Sequence, residues 1–107
     1  MAIRELVKAM NVLVVGMSHR TAEMGVLADF RRSAPDPAAL LREVLSCPDV
    51  GEAVLLSTCN RVEVYATVET FHGGVTDLSG VLGTRLLYAH YSTAAVEHLF
   101  SVAAGLV

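Results

Sequence analysis

The sequence predicts an α+β fold, a ferredoxin-like antiparallel sheet with helices packed on one face. Three observations carry that expectation. The apolar segments follow the order β-α-β-β-(α)-β-α, with an extra helical piece after the first strand. Only Thr58-Cys59-Asn60-Arg61 parts the second and third strand segments, a link short enough to favour antiparallel hairpin pairing. No Gly-x-Gly-x-x-Gly follows any strand segment, so no turn in the sequence is built to cradle a dinucleotide pyrophosphate.

Each element has a local reason. The run Asn11 to Met17 is short, apolar and β-branched, the pattern of a buried strand, and Ser18-His19-Arg20-Thr21 follows it as a polar loop. Residues 22–33 mix Met24, Val26, Leu27 and Phe30 with charged positions and are expected to be helical despite Gly25. Asp36 caps the next helix and Pro37 suits its first position, while Leu40, Leu41, Val44 and Leu45 recur at helical spacing until Pro48. Ala53 to Ser57 reads as the second strand. In the third, Val62, Val64, Ala66 and Val68 alternate with Glu63, Tyr65, Thr67 and Glu69, the mark of a half-buried strand with its polar side outward. From Gly73-Gly74 to Gly83 the expectation is one or two weak helical turns, followed by an edge strand over 86–90. A last helix starts at Ser92 or Thr93, carries Ala95, Val96, Leu99, Phe100, Val102 and Ala103 on one face, and closes at Gly105.

At 107 residues the chain suffices for one domain, and no repeat or linker divides it. Residues 1–9 read as an extension, with Met10 as an alternative start. Hydrophobic residues make up 53%, an excess that suggests apolar surface meant for another domain or subunit. A net charge of −3 with scattered basic residues argues against a strong electrostatic grip on nucleic acid by this segment alone. Arg4, Glu5 and Lys8 interrupt the N-terminus, so it lacks a signal-peptide core, and no apolar run is long enough to span a membrane. A reducing, cytoplasmic setting is the expectation, with Cys47 and Cys59 as free thiols.

Cys59 is the residue with most chemical promise. An ordinary thiol titrates near pH ~8.5 and is activated by a neighbouring cation, and Arg61 lies on the same turn. Thr58 and Asn60 can orient a substrate carbonyl or carboxylate, and Arg61 could instead bind a carboxylate bidentately. On residue type alone, packing is the commoner role of a cysteine; the polar neighbours on both sides of this thiol weigh against it. Cys47, between an apolar helical stripe and Pro48, reads as a packing residue. No metal site is expected, because His19, His72, His90 and His98 share no ligand spacing with the cysteines. His98 reads as a surface residue and His72 as a loop residue, whereas His19 and His90 fall near strand ends, where side chains can converge.

Four ordered patches resemble the N-terminal domain of the glutamyl-tRNA reductase family: Val-Val-Gly-Met-Ser-His-Arg-Thr-Ala (14–22), Ala-Val-Leu-Leu-Ser-Thr-Cys-Asn-Arg-Val-Glu-Val-Tyr-Ala (53–66), Leu-Tyr-Ala-His (87–90) and Ala-Val-Glu-His-Leu-Phe-Ser-Val-Ala-Ala-Gly-Leu (95–106). The resemblance assigns 10–107 to that catalytic domain, incomplete at its C-terminus. It implies NADPH-dependent reduction of glutamyl-tRNA to glutamate-1-semialdehyde, in tetrapyrrole (porphyrin and haem) biosynthesis. Cys59 would form a thioester with the glutamyl group, Thr58, Asn60 and Arg61 would bind substrate, and Arg61 would meet the glutamate side-chain carboxylate. His90 matches the family's activity-critical histidine, and His19 and Arg20 match a loop near the site. The implied partners are glutamyl-tRNA and the NADPH-binding and dimerisation domains of a full-length protein, itself a homodimer, with no membrane. The stretch 78–87 is short for the family, which implies a curtailed second packing helix. The alternative of another class is a non-catalytic ferredoxin-like interaction module.

Overall fold

A computed structural model of the chain describes residues 11–19, 24–83 and 88–105. Its strands are β1 (Val12–Ser18), β2 (Val50–Ser57), β3 (Arg61–Val68) and β4 (Tyr88–Tyr91); its helices are α1 (Met24–Ser33), α2 (Pro37–Leu45), α3 (Phe71–Leu82) and α4 (Thr93–Ala103). The expected extension 1–9, Arg20 and most of the supposed start of the edge strand lie outside the described residues.

The strands form one sheet in the order β2-β3-β1-β4, and every pairing is antiparallel. This is the ferredoxin-like arrangement. Because side chains alternate along a strand, the register sorts them into two faces. Leu13, Val15 and Met17 of β1 share one face with Val62, Val64 and Ala66 of β3. There they meet Leu27 and Phe30 of α1, Leu40 and Val44 of α2, and Leu78 and Leu82 of α3 in one core. Fully burying a large aliphatic side chain stabilises by roughly 1.5–3 kcal/mol, so this layer is the main source of stability.

The helix boundaries have identifiable causes. The Asp36 carboxylate accepts from the Ala38 amide at 3.0 Å, with Pro37 beginning the helix as expected. α3 is longer than the one or two turns expected: it starts at Phe71 and runs for 12 residues. Its three glycines lower local helix propensity, but Thr70 Oγ1 caps the Gly73 amide at 2.9 Å, and Leu78 and Leu82 are buried. His72, expected in a loop, sits exposed in its first turn. Gly73 is needed where it stands, since a Cβ there would lie 2.6 Å from both Asp49 Oδ1 and Thr70 Oγ1.

The second face departs from the half-exposed strand expected for β3. α4 packs across it over β1 and β4, with Ala95 buried against the sheet, so Glu63 is 0% exposed rather than outward. The face that α4 turns inward carries Ala95 and His98. Leu99 and Phe100, expected in its packing stripe, are instead 41% and 66% exposed. With Val54 at 65%, they account for part of the apolar excess seen in the sequence. The helix ends on Ala104, and Gly105 follows at φ 75, a left-handed position that suits glycine.

Candidate functional site

The β2–β3 link is a tight turn, and its backbone is held from several sides. Thr58 N donates to Arg61 O at 2.9 Å, Asn60 N to Thr58 Oγ1 at 3.2 Å, and His19 N to Asn60 O at 2.8 Å. Arg31, in the last turn of α1, donates from Nη1 to Cys59 O at 3.1 Å and from Nη2 to Arg61 O at 3.3 Å. The guanidinium therefore braces the turn and places a cation beside the thiol residue. Sequence reasoning missed Arg31; the only signal was a basic pair, Arg31-Arg32, closing a helix.

Thr58, Cys59 and Asn60 are all exposed on this turn, and His19 is exposed beside it. Cys47 differs in every respect. Its Sγ lies 3.6 Å from Glu43 O and 4.0 Å from Asp77 O at the end of α2. Burial pushes its thiol pKa up, and the Asp77 and Glu43 carboxylates add to the rise. The two cysteines are thus an open thiol on a braced turn and a thiol held in its protonated form.

Below the turn, on the face covered by α4, lies a polar cluster centred on Glu63. Its carboxylate meets Arg61 Nη1 at 3.4 Å, Tyr65 OH at 3.0 Å and His98 Nε2 at 2.5 Å, and it accepts from Tyr88 OH. Gly16 makes room for this. It pairs with Glu63 on one side and Tyr88 on the other, so the two side chains meet over a residue that has none. A Cβ on Gly16 would lie 2.6 Å from Val62 O and 2.8 Å from Glu63 Cγ.

Burial alone would push the Glu63 carboxyl up. Hydrogen bonds from Tyr88, His98 and Tyr65, with the charge of His98, outweigh it and hold the group below the usual carboxylate range. Burial and the Glu63 carboxylate together push the Tyr65 and Tyr88 phenols well above their usual range. His98 is buried against Glu63 rather than at the surface, its side chain only 12% exposed. Its ring stacks on His90 with centroids 4.4 Å apart and planes 26° from parallel.

The structure brings Thr58, Cys59, Asn60, Arg61 and His19 together and sets His90 apart from them. Arg61 pairs with Ser18, whereas His90 pairs with Val14, four rungs or about 13 Å further along the sheet. Arg61 is 6% exposed and engaged by Glu63. A continuous line of contacts, Arg61–Glu63–His98–His90, nevertheless joins the turn to that histidine. Among the described residues no group of His, Cys, Asp and Glu could hold a metal ion, and no helix is long and apolar enough to cross a membrane.

Residues 15–107 match the family model described as "Glutamyl-tRNAGlu reductase, N-terminal domain". The chain belongs to that family. It is 48% identical over 107 residues to the glutamyl-tRNA reductase of Kineococcus radiotolerans, covering 91% of this chain and 24% of that protein. The glutamyl-tRNA reductase of Frankia alni matches at the same identity, over 91% of this chain and 23% of its own length. Among solved structures, glutamyl-tRNA reductase from Methanopyrus kandleri superposes with a TM-score of 0.74 at 30% identity, covering 91% of this chain and 23% of that one. The chain thus spans about a quarter of the length of these glutamyl-tRNA reductases.

Proposed function

We propose that this domain captures the glutamyl group of glutamyl-tRNA as a thioester on Cys59, the acyl-transfer half of a glutamyl-tRNA reductase reaction. The observation that carries the reading is the exposed Cys59 on a turn whose backbone Arg31, His19 and Thr58 all fix. The Cys59 thiolate attacks the ester carbonyl carbon, the new S–C bond forms, and the bond to the ribose oxygen of the tRNA breaks. Arg31 holds the thiol-bearing turn through its bonds to Cys59 O and Arg61 O. Thr58 and Asn60, exposed beside the thiol, offer a hydroxyl and an amide to the glutamyl carbonyl and carboxylate. Arg61 would meet the glutamate side-chain carboxylate by sharing its guanidinium between that group and Glu63. His90, which the sheet register sets apart from the turn, would act on the departing ribose oxygen or the scissile ester only through the Arg61–Glu63–His98 line of contacts.

Reduction of the thioester to glutamate-1-semialdehyde, in tetrapyrrole biosynthesis, belongs to the full-length protein. NADPH supplies hydride there. Among the described residues no strand leads through a glycine-rich turn into a helix that could cradle it, so we assign its site to another domain. The cytoplasm, a reducing compartment, suits a free thiol in this role.

The test is acyl capture from tRNA charged with labelled glutamate. Cys59→Ser should abolish thiol-linked label, and Cys47→Ser should retain it. Label that survives Cys59→Ser would overturn the assignment to Cys59, and no label on the unaltered domain would instead favour a domain that only binds partners.

A further inference from the structure

We propose that the backbone N–H of Cys59 is the oxyanion donor of acyl capture, the group that receives the charge when the thiol adds to an ester carbonyl. The inference rests on the reading of Cys59 as the nucleophile, and it adds a catalytic group that no side chain of the turn supplies.

Thr58, Cys59 and Asn60 link β2 to β3. Thr58 N donates to Arg61 O and Asn60 N to Thr58 Oγ1, so the two amides on either side of Cys59 are spent within the turn. The Cys59 N–H alone of the three has no hydrogen-bond partner among the described residues. An unpaired N–H at the surface is satisfied by water. Beside a nucleophile it is a donor left open to whatever displaces that water. The peptides flanking it are held: the Ser57–Thr58 peptide through Thr58 N, and the Cys59–Asn60 peptide through Arg31 at Cys59 O, 3.1 Å away. Flipping the Thr58–Cys59 peptide between these fixed neighbours would turn Cys59 to positive φ, as in a type II turn, which a residue with a Cβ avoids. Cys59 stands outside that region.

The chemistry needs such a donor. As the S–C bond forms, the electron pair of the carbonyl double bond moves onto its oxygen. That oxygen sits on the carbon joined to Sγ, within reach of the same residue's amide at the roughly 3 Å that an oxyanion donor requires. The pair then returns to the carbonyl, the bond to the ribose oxygen breaks, and the leaving oxygen takes a proton from water. A backbone donor fixed beforehand needs no reorganisation when the charge appears, and it binds the intermediate better than the flat ester.

The test replaces that one N–H. Assembling the full chain with the hydroxy-acid analogue of cysteine at position 59 puts an ester oxygen where the N–H stands, and leaves the thiol and the turn's hydrogen bonds in place. Acyl capture from tRNA charged with labelled glutamate should slow by about 100- to 1,000-fold, the loss typical of one oxyanion donor. Alkylation by neutral iodoacetamide, a displacement that forms no oxyanion, should be unchanged. Unslowed capture overturns the proposal and leaves Cys59 as the nucleophile. So does an equal fall in both reactions, because the ester would then be acting on the thiol itself. A second readout needs no variant and holds even where the ester chain fails to fold. In the unaltered, isotope-labelled chain, the Cys59 amide proton should move downfield in NMR when the thiol adds to a trifluoromethyl ketone analogue of glutamate. An unmoved resonance in the formed adduct overturns the proposal. If the unaltered chain captures no label at all, the reading of Cys59 as nucleophile falls, and this inference with it.

Discussion

Glu63 reaches His98 across the sheet face, carboxylate oxygen to Nε2 at 2.5 Å, and in doing so ties the last helix to the strand that begins at the cysteine turn. The carboxylate is fully buried and also engages Arg61, Tyr65 and Tyr88. Its removal should therefore be costly. Breaking a buried ion pair by neutralising one partner typically loses about 3 kcal/mol or more, and the Arg61 and Glu63 side chains are only 7% and 0% exposed. Glu63→Gln should lower stability by about that amount, read as a reduced urea midpoint with an unchanged slope.

Two glycines should respond with opposite signs. Gly16→Ala drives a Cβ to within 2.6 Å of the Val62 backbone carbonyl, which cannot swing aside, and overpacking of this kind costs roughly 1–3 kcal/mol. Gly80 lies inside α3 with nothing within 4 Å of its would-be Cβ, so Gly80→Ala should stabilise by about 0.5–1 kcal/mol. Thermal melts of the two variants beside the parent decide both.

Stability should fall on both sides of neutrality. The folded chain holds His90 below its ordinary 6.5, so unfolding takes up a proton and stability declines as pH drops through that value. The depressed Glu63 carboxyl adds a second loss that begins below its ordinary 4.5 and continues down to its folded pKa. At the alkaline end, Tyr65 and Tyr88 ionise more readily when unfolded, so stability declines again above about pH 10. A melting-temperature profile should thus plateau between these limits. In Glu63→Gln the step below pH 4.5 should shrink.

Arg31 makes the thiol's surroundings cationic. Arg31→Met should therefore slow alkylation of Cys59 by anionic iodoacetate, with Cys47 unaffected. Loss of protection at the turn amides in hydrogen exchange should accompany it.

What was legible in the sequence was local. Asp36-Pro37 announced α2, alternating valines announced β3, and the short 58–61 link announced the hairpin that holds Cys59. α3 was harder because Gly73, Gly74 and Gly80 weaken its helical signal, while the Thr70 cap and the burial of Leu78 and Leu82 in the core hold it. Glu63 and His98 were misread for a different reason. Period-two alternation puts Glu63 outward, and only α4, returning thirty residues later over the second face, buries it. His98 beside Glu97 looks like a solvated helix position until its partner on β3 is known. Arg31 likewise acts on backbone oxygens far along the chain, which no local pattern encodes.

The central claim is that Cys59 accepts the glutamyl group. The direct measurement is mass-spectrometric mapping of the chain after a single turnover with glutamyl-tRNA, with and without hydroxylamine. The predicted result is a glutamyl adduct on the peptide containing Cys59, removed by hydroxylamine and absent from Cys59→Ser. An adduct on Cys47 or elsewhere, or none on Cys59 while bound tRNA is deacylated, would contradict it.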